Sequence, residues 1–311
     1  LPDSKSWQHN RWGYGPWVDG LFRQGNMGVV TKMGFHLMPR PEVMQSAVVR
    51  VPRNEDAIAL IDTLNLLENQ HVVNGSTQLG GVGGAAGGNA GAWSLTLPIY
   101  GPEKVVRAQM EYCKEKFARI SGSTFTEGEL FRTPLSADAL TRARKTSLGI
   151  PDLSTFGLLG RTQADPLPAG GHMDFSPILP RTGEALLEFA QFYRDNLPSV
   201  SEGGKLRFLG PVYMTNWDRT LVALIMFPVG KDKAFNARMR HAFEQWVHLC
   251  ADRGWGEYRT PAIFQDAVAK AYSYNNHSLT RMRETIKDAL DPNGILSPGR
   301  YGVWPKHLRK G

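Results

Sequence analysis

The chain has 311 residues, of which 41% are hydrophobic and 21% are charged, so one large domain or two domains with a substantial core are expected. No run of about 18 apolar residues occurs, which argues against a membrane-spanning helix. The net charge of +7 comes from scattered basic residues, which indicates a bias toward anionic small molecules and not a nucleic-acid interface. We expect a cytoplasmic protein. Cys113 and Cys250 lie in helix-like sequence far apart and indicate buried thiols, not a disulfide framework or a metal site.

The chain begins Leu1-Pro2-Asp3, with no initiator methionine and no signal-peptide pattern. Trp7, Trp12, Tyr14 and Trp17 follow at once, and nothing upstream supplies partners for so many aromatic rings. We therefore expect the chain to be part of a longer protein.

Hydrophobic periodicity predicts a β-α-β-α order from residue 45, a turn-rich stretch over residues 134–170, and a β-α-β-β-α order up to residue 253. This order predicts an α+β fold, with helices packed on one face of a mostly antiparallel sheet. The predicted strands cover residues 29–35, 45–51, 92–98 and 172–176, with two more between residues 206 and 227. The predicted helices follow Asn54 and cover residues 102–118, 183–197 and 233–253, before a last helix with Leu279, Met282, Ile286 and Leu290 on one face.

Residues 80–91 are rich in glycine, a composition that also occurs in dinucleotide-binding loops. A loop of that kind follows a strand and opens a helix. Here polar residues precede the glycines and a predicted strand follows them, so we interpret residues 80–91 as a connection between two strands.

Two C-terminal segments, Gly254–Thr260 and Asp291–Arg300, have residue types that suit an anion site. Tyr258 and Arg259 are adjacent and follow a predicted helix end, while Arg300 follows a Pro-Gly turn. Two cations and a phenolic donor suit the binding of an anion, or the stabilisation of one that develops during a reaction. On residue type alone, a surface or structural role for the Tyr-Arg pair stays open.

These segments belong to a longer pattern of short blocks, most of which lie near the two ends of the chain. The blocks are Trp12–Pro16, Asp19–Phe22, Asn26–Gly34 and Leu37–Pro39, then Gly149–Pro151 and Phe175–Pro177, and finally Gly254–Thr260, Asp291–Arg300 and Gly302–Pro305. In this order they resemble the vanillyl-alcohol oxidase and 4-cresol methylhydroxylase family of FAD enzymes. The resemblance covers the whole chain.

The resemblance implies a discontinuous FAD-binding domain that is interrupted by a cap domain over the flavin. The chain would hold the end of the N-terminal FAD-binding region in residues 1–42, a substrate cap domain in residues 43–250, and a C-terminal segment returning to the FAD domain in residues 251–311. Most of the FAD-binding half, with its pyrophosphate loops and catalytic carboxylate, is expected outside this chain.

The resemblance also implies how the reaction would run. Tyr258 and Arg259 match the pair that holds the phenolic oxygen of the substrate, and a guanidinium beside a bound phenol favours its ionised form. The phenolate would support hydride transfer from the benzylic carbon to flavin N5, through a quinone methide.

Further positions match contacts to the cofactor, FAD. Arg300 matches a cation beside flavin N1 and the C2 carbonyl, where it would stabilise the reduced flavin. For Arg300 the alternative interpretation is a surface arginine in a turn. For residues 26–30 the alternative is that they serve only to form a turn. The residues expected to give backbone contacts to FAD are Asn26, Met27, Gly28, Val29 and Val30.

Two departures from the family pattern concern the covalent bond to the flavin. Thr220 stands where many relatives have the histidine that bonds to the flavin, and threonine cannot form that bond. Leu159 stands where the cytochrome-linked branch has a tyrosine. We therefore predict that FAD is held non-covalently.

The remaining candidates are weaker. His172 and Asp174 are predicted to share one face of a strand, and we favour a structural role over acid-base chemistry. Trp217 suits either the substrate pocket or the core of the cap, and Thr220 is predicted to line the pocket. No cluster with metal-ligand spacing stands out.

The resulting hypothesis is a flavin-dependent oxidoreductase of para-substituted phenols, such as 4-alkylphenols, 4-hydroxybenzyl alcohols and allylphenols. Oxygen or a cytochrome would accept the electrons, and a homodimer or higher oligomer is expected. The alternative is a partial chain that acts only as a cap or assembly module without its own cofactor.

Overall fold

A computed structural model describes residues 15–81, 92–143, 171–217 and 220–309 of the chain. These residues form two compact units: the sheet unit, Arg40–Arg259, and the terminal unit, which combines residues 15–39 with residues 260–309. The domain boundaries predicted after residues 42 and 250 stay a prediction.

An antiparallel sheet forms the centre of the sheet unit. Its described strands are β1 (Val43–Val51), β2 (Gln78–Gly81), β3 (Trp93–Gly101), β4 (Thr124–Arg132), β5 (Gly171–Phe175), β6 (Ile178–Pro180), β7 (Leu209–Trp217) and β8 (Thr220–Val229). They take the order β4-β1-β3-β2-β7-β8-β5, and β6 also pairs with β8. Every strand pair is antiparallel, which confirms the predicted sheet type.

Helices of the sheet unit pack on one face of this sheet, as predicted. Strand β1 shows why: its odd-numbered residues from Val43 to Val51 are all buried, whereas Arg50 between them is exposed. The helices of the sheet unit are α1 (Asp56–Asn69), α2 (Glu103–Phe117), α3 (Ala137–Arg142), α4 (Gly183–Val200) and α5 (Lys233–Ala251), while α6 (Gln265–Ala271) and α7 (Tyr274–Leu290) belong to the terminal unit.

Aromatic rings fix α5 to the sheet. The ring of Phe243 on α5 lies 5.3 Å from the ring of Phe175 on β5 and 5.3 Å from that of Phe227 on β8. Each contact is edge-to-face or tilted, the arrangement that aromatic quadrupoles favour. All three rings are fully buried, so this contact holds the strand that carries His172 and Asp174 in place.

Both cysteines are buried thiols, as predicted. Burial raises the pKa of Cys113 to about 12 and also raises the pKa of Cys250. Neither thiol is therefore ionised near neutral pH, and neither is a candidate nucleophile.

The glycine-rich connection is flanked by strands on both sides. Strand β2 ends at Gly81, β3 begins at Trp93, and the two pair antiparallel. Residues 82–91 lie outside the described residues. The flanks confirm a strand-to-strand connection and not a strand-to-helix phosphate loop.

One prediction about the terminal unit is wrong and another is confirmed. Residues 29–35 form no strand, and Val29, Met33 and Phe35 are exposed, because no described strand pairs with them. The predicted last helix is present as α7, on which Met282 is 62% exposed and Lys287 is fully buried.

In the described part of the chain, no helix combines the length and apolar character needed to cross a membrane.

Candidate active site

Tyr258 and Arg259 lie on a short extended segment that follows α5. Gly254 takes a positive φ of 75°, which reverses the chain after the helix, and its N–H donates to the carbonyl of Ala251. The N–H of Tyr258 then donates to the carbonyl of Ser176 over 3.0 Å. The segment thus pairs antiparallel with the link between β5 and β6.

The indole of Trp255 anchors this segment by packing against α4. Its ring lies 5.3 Å from Phe189 and 5.1 Å from Phe192, both on α4, and Trp255 is 7% exposed. Since the indole is fixed in the core, the following residues have a defined position. Tyr258, at 39% exposure, and Arg259 then lie at the surface of the sheet unit.

Arg259 forms an ion pair with Asp174 on β5. Its Nη2 atom lies 3.2 Å from Asp174 Oδ2, and His172 Nε2 lies 3.4 Å from Asp174 Oδ1. His172 and Asp174 share one face of the strand, as predicted, and Arg259 pairs with the carboxylate on that face. We call His172, Asp174, Glu257, Tyr258 and Arg259 the strand-edge cluster.

Glu257 is a buried carboxyl between the two candidate residues and the sheet. Its Oε2 accepts the backbone N–H of Ser176 over 2.7 Å, and it also accepts the backbone N–H of Arg259. Burial raises the pKa of Glu257 to about 8, although these hydrogen bonds favour the ionised form. Glu257 directly precedes Tyr258 and Arg259 in the sequence but was not predicted as a site residue, because a glutamate is usually exposed.

The raised pKa of Glu257 predicts a pH-dependent stability. The folded protein binds the proton of the Glu257 carboxyl more tightly than the unfolded chain does, because glutamate in an unfolded chain has a pKa of about 4.3. The contribution of Glu257 to the free energy of unfolding should therefore be largest below that value, fall as the pH rises, and level off above about 8. Glu257→Gln should remove this contribution, which denaturant unfolding of both proteins across this pH range would measure.

Glu111→Gln on the exposed side of α2 is the matched control and should leave the pH profile unchanged. Parallel profiles for wild type and Glu257→Gln would contradict the raised pKa.

The two residues predicted for the pocket lie on the β7–β8 hairpin. Trp217 ends β7 and is paired with Thr220, which begins β8 and is half-buried. Residues 218 and 219 between them, and also Leu159, are outside the described residues. His172 and Asp174 of the strand-edge cluster lie on β5, which belongs to the same sheet as this hairpin.

A second group of candidate residues lies in the terminal unit around a buried lysine. Lys287 on α7 is fully buried, and its Nζ donates to the carbonyl of Asn26 over 2.7 Å, to Asp291 Oδ2 over 2.7 Å and to the carbonyl of Leu296. Asp291 also accepts the N–H groups of Ile295 and Leu296, and the Lys287 ammonium holds the pKa of Asp291 low, at about 2.

Asn26 connects this lysine to Arg300. Its side-chain Nδ2 donates to the carbonyl of Arg300 over 2.6 Å, and Asn26 is 2% exposed. Lys287 therefore contacts Asn26 directly and reaches Arg300 through it, although it was not predicted as a site residue. We call Asn26, Lys287, Asp291, Leu296 and Arg300 the buried-lysine cluster.

The other predicted cofactor residues differ in exposure. Met27 is buried, whereas Val29 and Val30 are 73% and 55% exposed. A Cβ atom on Gly28 would lie 2.8 Å from the ring of Phe22, so packing alone explains that glycine. Val29 and Val30 are therefore accessible to a ligand.

One observation in this cluster fits a flavin. Asn26 Oδ1 is buried and accepts no hydrogen bond from the described part of the chain. A flavin ring offers an N–H donor beside the carbonyl and nitrogen atoms that become negative on reduction, and half-buried Arg300 is adjacent to Asn26. An acceptor next to a cation suits that edge of the ring.

Comparison with known proteins assigns the class. The chain belongs to the FAD-linked oxidases, because the family model described as "FAD linked oxidases, C-terminal domain" matches residues 40–301. This confirms the class that the sequence blocks indicate.

Two curated relatives align with almost the whole chain. The flavoprotein subunit of 4-cresol dehydrogenase (hydroxylating) from Pseudomonas putida is 27% identical over 97% of the chain and 60% of its own length. The 1'-carboxy-chondrochloren decarboxylase of Chondromyces crocatus is 24% identical over 98% of the chain and 65% of its own length. The chain thus spans less than two thirds of either relative.

Solved structures agree with the fold. The 4-ethylphenol oxidase of Gulosibacter chungangensis, in complex with isoeugenol, superposes with a TM-score of 0.80 and 27% identity, covering 99% of this chain and 63% of that one. A p-cresol methylhydroxylase with bound substrate gives a TM-score of 0.78 at 24% identity, covering 98% of this chain and 61% of that one. The first of these structures supports the resemblance that the sequence blocks indicate, and the second shows the shared fold.

Proposed function

We propose that the protein is a flavin-dependent oxidoreductase of para-substituted phenols and that the strand-edge cluster binds the phenolic oxygen. The observation that carries the proposal is the Tyr258–Arg259 pair, held at the surface of the sheet unit in a protein related to enzymes named for 4-cresol and 4-ethylphenol. A guanidinium and a phenolic O–H are donors that stabilise a phenolate.

The two residues would act on the charge of the substrate. Arg259 carries a permanent cation, which favours the ionised form of a bound phenol. Tyr258 would donate a second hydrogen bond to the same oxygen. The phenolate then pushes electron density toward the para carbon, which favours loss of hydride from the benzylic position and formation of a quinone methide.

The buried-lysine cluster would hold one edge of the flavin. Asn26 Oδ1 would accept a hydrogen bond from the ring, and Arg300 would favour negative charge on it. Bound FAD would supply the hydride acceptor, which no side chain can provide.

An anaerobic half-reaction with the full-length, FAD-loaded protein tests this function. A 4-alkylphenol should bleach the flavin absorbance, whereas the methyl ether of the same compound should not, because it cannot form a phenolate. Equal bleaching by both compounds, or none by the phenol, would contradict the proposal.

The electron acceptor and the partners are a separate part of the proposal. Oxygen as acceptor predicts hydrogen peroxide after air is readmitted, and a cytochrome predicts reoxidation only in its presence. The relative from Pseudomonas putida is named as a flavoprotein subunit, which favours a second subunit here as well. Light scattering would test the expected homodimer or higher oligomer.

We further propose that FAD is held non-covalently, since Thr220 begins β8 where many relatives would place the bonding histidine. Acid precipitation of the full-length protein should leave the yellow colour in the supernatant. Colour retained in the pellet after washing would show a covalent bond and overturn this expectation.

A cap or assembly module without a cofactor is not favoured. The family match runs from residue 40 to residue 301 and so includes residues of both the sheet unit and the terminal unit. The residues proposed to hold the cofactor also form a connected network of hydrogen bonds, the buried-lysine cluster.

A further inference from the structure

Arg259, the cation assigned to the phenolic oxygen, already holds a carboxylate. Its Nη2 lies 3.2 Å from Asp174 Oδ2. The guanidinium carries five N–H donors in one plane, so it can bind a second oxygen beside the first. A phenol that binds this guanidinium therefore has Asp174 as a close neighbour.

The net charge of the Arg259–Asp174 pair determines how favourably a phenolate could bind there. Arg259 and Asp174 together carry no net charge, so an incoming phenolate would add a second anion to one cation. Two anions at one cation disfavour each other's ionised form. If Asp174 takes up the proton that the phenol loses, one anion replaces the other and the net charge stays constant.

The surroundings of Asp174 suit a proton acceptor. Its side chain is 24% exposed, against 54% for Arg259, and Oδ1 faces His172 Nε2 at 3.4 Å. Within the described part of the chain, the charged and titratable groups beside it include His172 on β5 and Glu257, Tyr258 and Arg259 on the facing segment.

Strand β8, which pairs with β5, places no charged residue opposite His172 or Asp174. Strand β8 sets Pro228 opposite His172 and Met226 opposite Asp174. A proton on Asp174 Oδ1 would therefore have the imidazole of His172 as its nearest polar neighbour among these groups, and the ring could share it.

We propose that Asp174 accepts the proton of the phenolic hydroxyl when the substrate binds, so that Arg259 exchanges its carboxylate partner for a phenolate. The O–H bond of the phenol breaks and an O–H bond forms on Asp174. Nothing is oxidised or reduced in this step. The inference rests on the proposed function, because it needs a phenol at Arg259.

Proton counting with a chromophoric phenol tests this assignment. The probe is 4-nitrophenol, which has no benzylic hydrogen and cannot turn over, added to the full-length, FAD-loaded protein at a pH below the pKa of the free probe. The absorption band of 4-nitrophenolate reports ionisation in the site. Calorimetry in buffers of different ionisation enthalpy reports the protons released to solvent.

Wild-type protein should show the phenolate band and release close to no proton for each bound probe. Asp174→Asn should show the band and release close to one proton, because asparagine cannot take it up. Asp174→Glu, which restores a carboxylate, should return the count toward zero. Asp138→Asn removes an aspartate from an exposed Asp–Arg pair on α3 and should behave as wild type.

The two ways of failing are distinguishable, and the wild-type measurement alone decides between them even where a variant does not fold. A phenolate band with one proton released by wild type overturns the role of Asp174 and leaves the proposed function intact. Binding without the phenolate band overturns the proposed function and this inference with it.

Discussion

Arg259→Ala is expected to lower the rate of flavin reduction by a 4-alkylphenol by about 100- to 1,000-fold, the usual loss when one donor to a developing oxyanion is removed. The variant loses the cation that stabilises the phenolate and also leaves Asp174 without its ion pair. Anaerobic stopped-flow measurement of flavin bleaching, with the full-length protein, would give the rate.

Arg119→Ala is the matched control for this variant. Arg119 lies beyond the end of α2, its side chain is 67% exposed, and it pairs with Glu115 in the manner of an ordinary surface arginine. Its loss should leave the rate unchanged. A rate near that of wild type for Arg259→Ala would remove Arg259 from the substrate site.

Lys287→Met is expected to have the largest effect on stability, a loss of about 3 to 5 kcal/mol in the free energy of unfolding. The fully buried ammonium donates to three oxygens, and methionine would leave Asp291 and two carbonyls without this donor. Urea unfolding would measure the loss, and titration with FAD should show weaker binding because the Asn26 and Leu296 segments lose their shared contact.

Lys270→Met on the exposed side of α6 makes the same chemical change at the surface and should be nearly neutral. Adding Asp291→Asn to Lys287→Met should cost less than the sum of the single variants, because the second change removes the unpaired buried charge. A Lys287→Met protein that unfolds at the wild-type urea concentration would contradict this role of the cluster.

The parts of the fold that could be predicted are those with strong periodicity. Helix α2, with Val106, Met110, Cys113 and Phe117 on one face, lies where expected. Strand β2 escaped prediction because glycines occupy half of it, and β4 because its side chains are mostly exposed. Residues 29–35 carry strand-forming residues, yet a strand also needs a partner for its backbone groups.

The candidate site was predictable only in part, for a related reason. Tyr258 and Arg259 stand out as neighbours in sequence, whereas the partner of Arg259 is Asp174, 85 positions away. Sequence alone favoured a structural role for Asp174, since nothing local joins it to an arginine. Lys287 escaped because a lysine beside an apolar stripe usually extends into solvent. Its burial is favourable only with three acceptors, one of which, the carbonyl of Asn26, lies 261 positions away.

The separation between Asn26 and Lys287 has a consequence for synthesis of the protein. The two residues are 261 positions apart, and a ribosome adding about 5 to 20 residues per second needs roughly 10 to 50 seconds to cover that distance. All of the sheet unit emerges in this interval. We therefore expect the sheet unit to fold first, on the ribosome, before Lys287 is available to hydrogen-bond with Asn26. Formation of the proposed flavin-binding cluster would then be a late step in maturation.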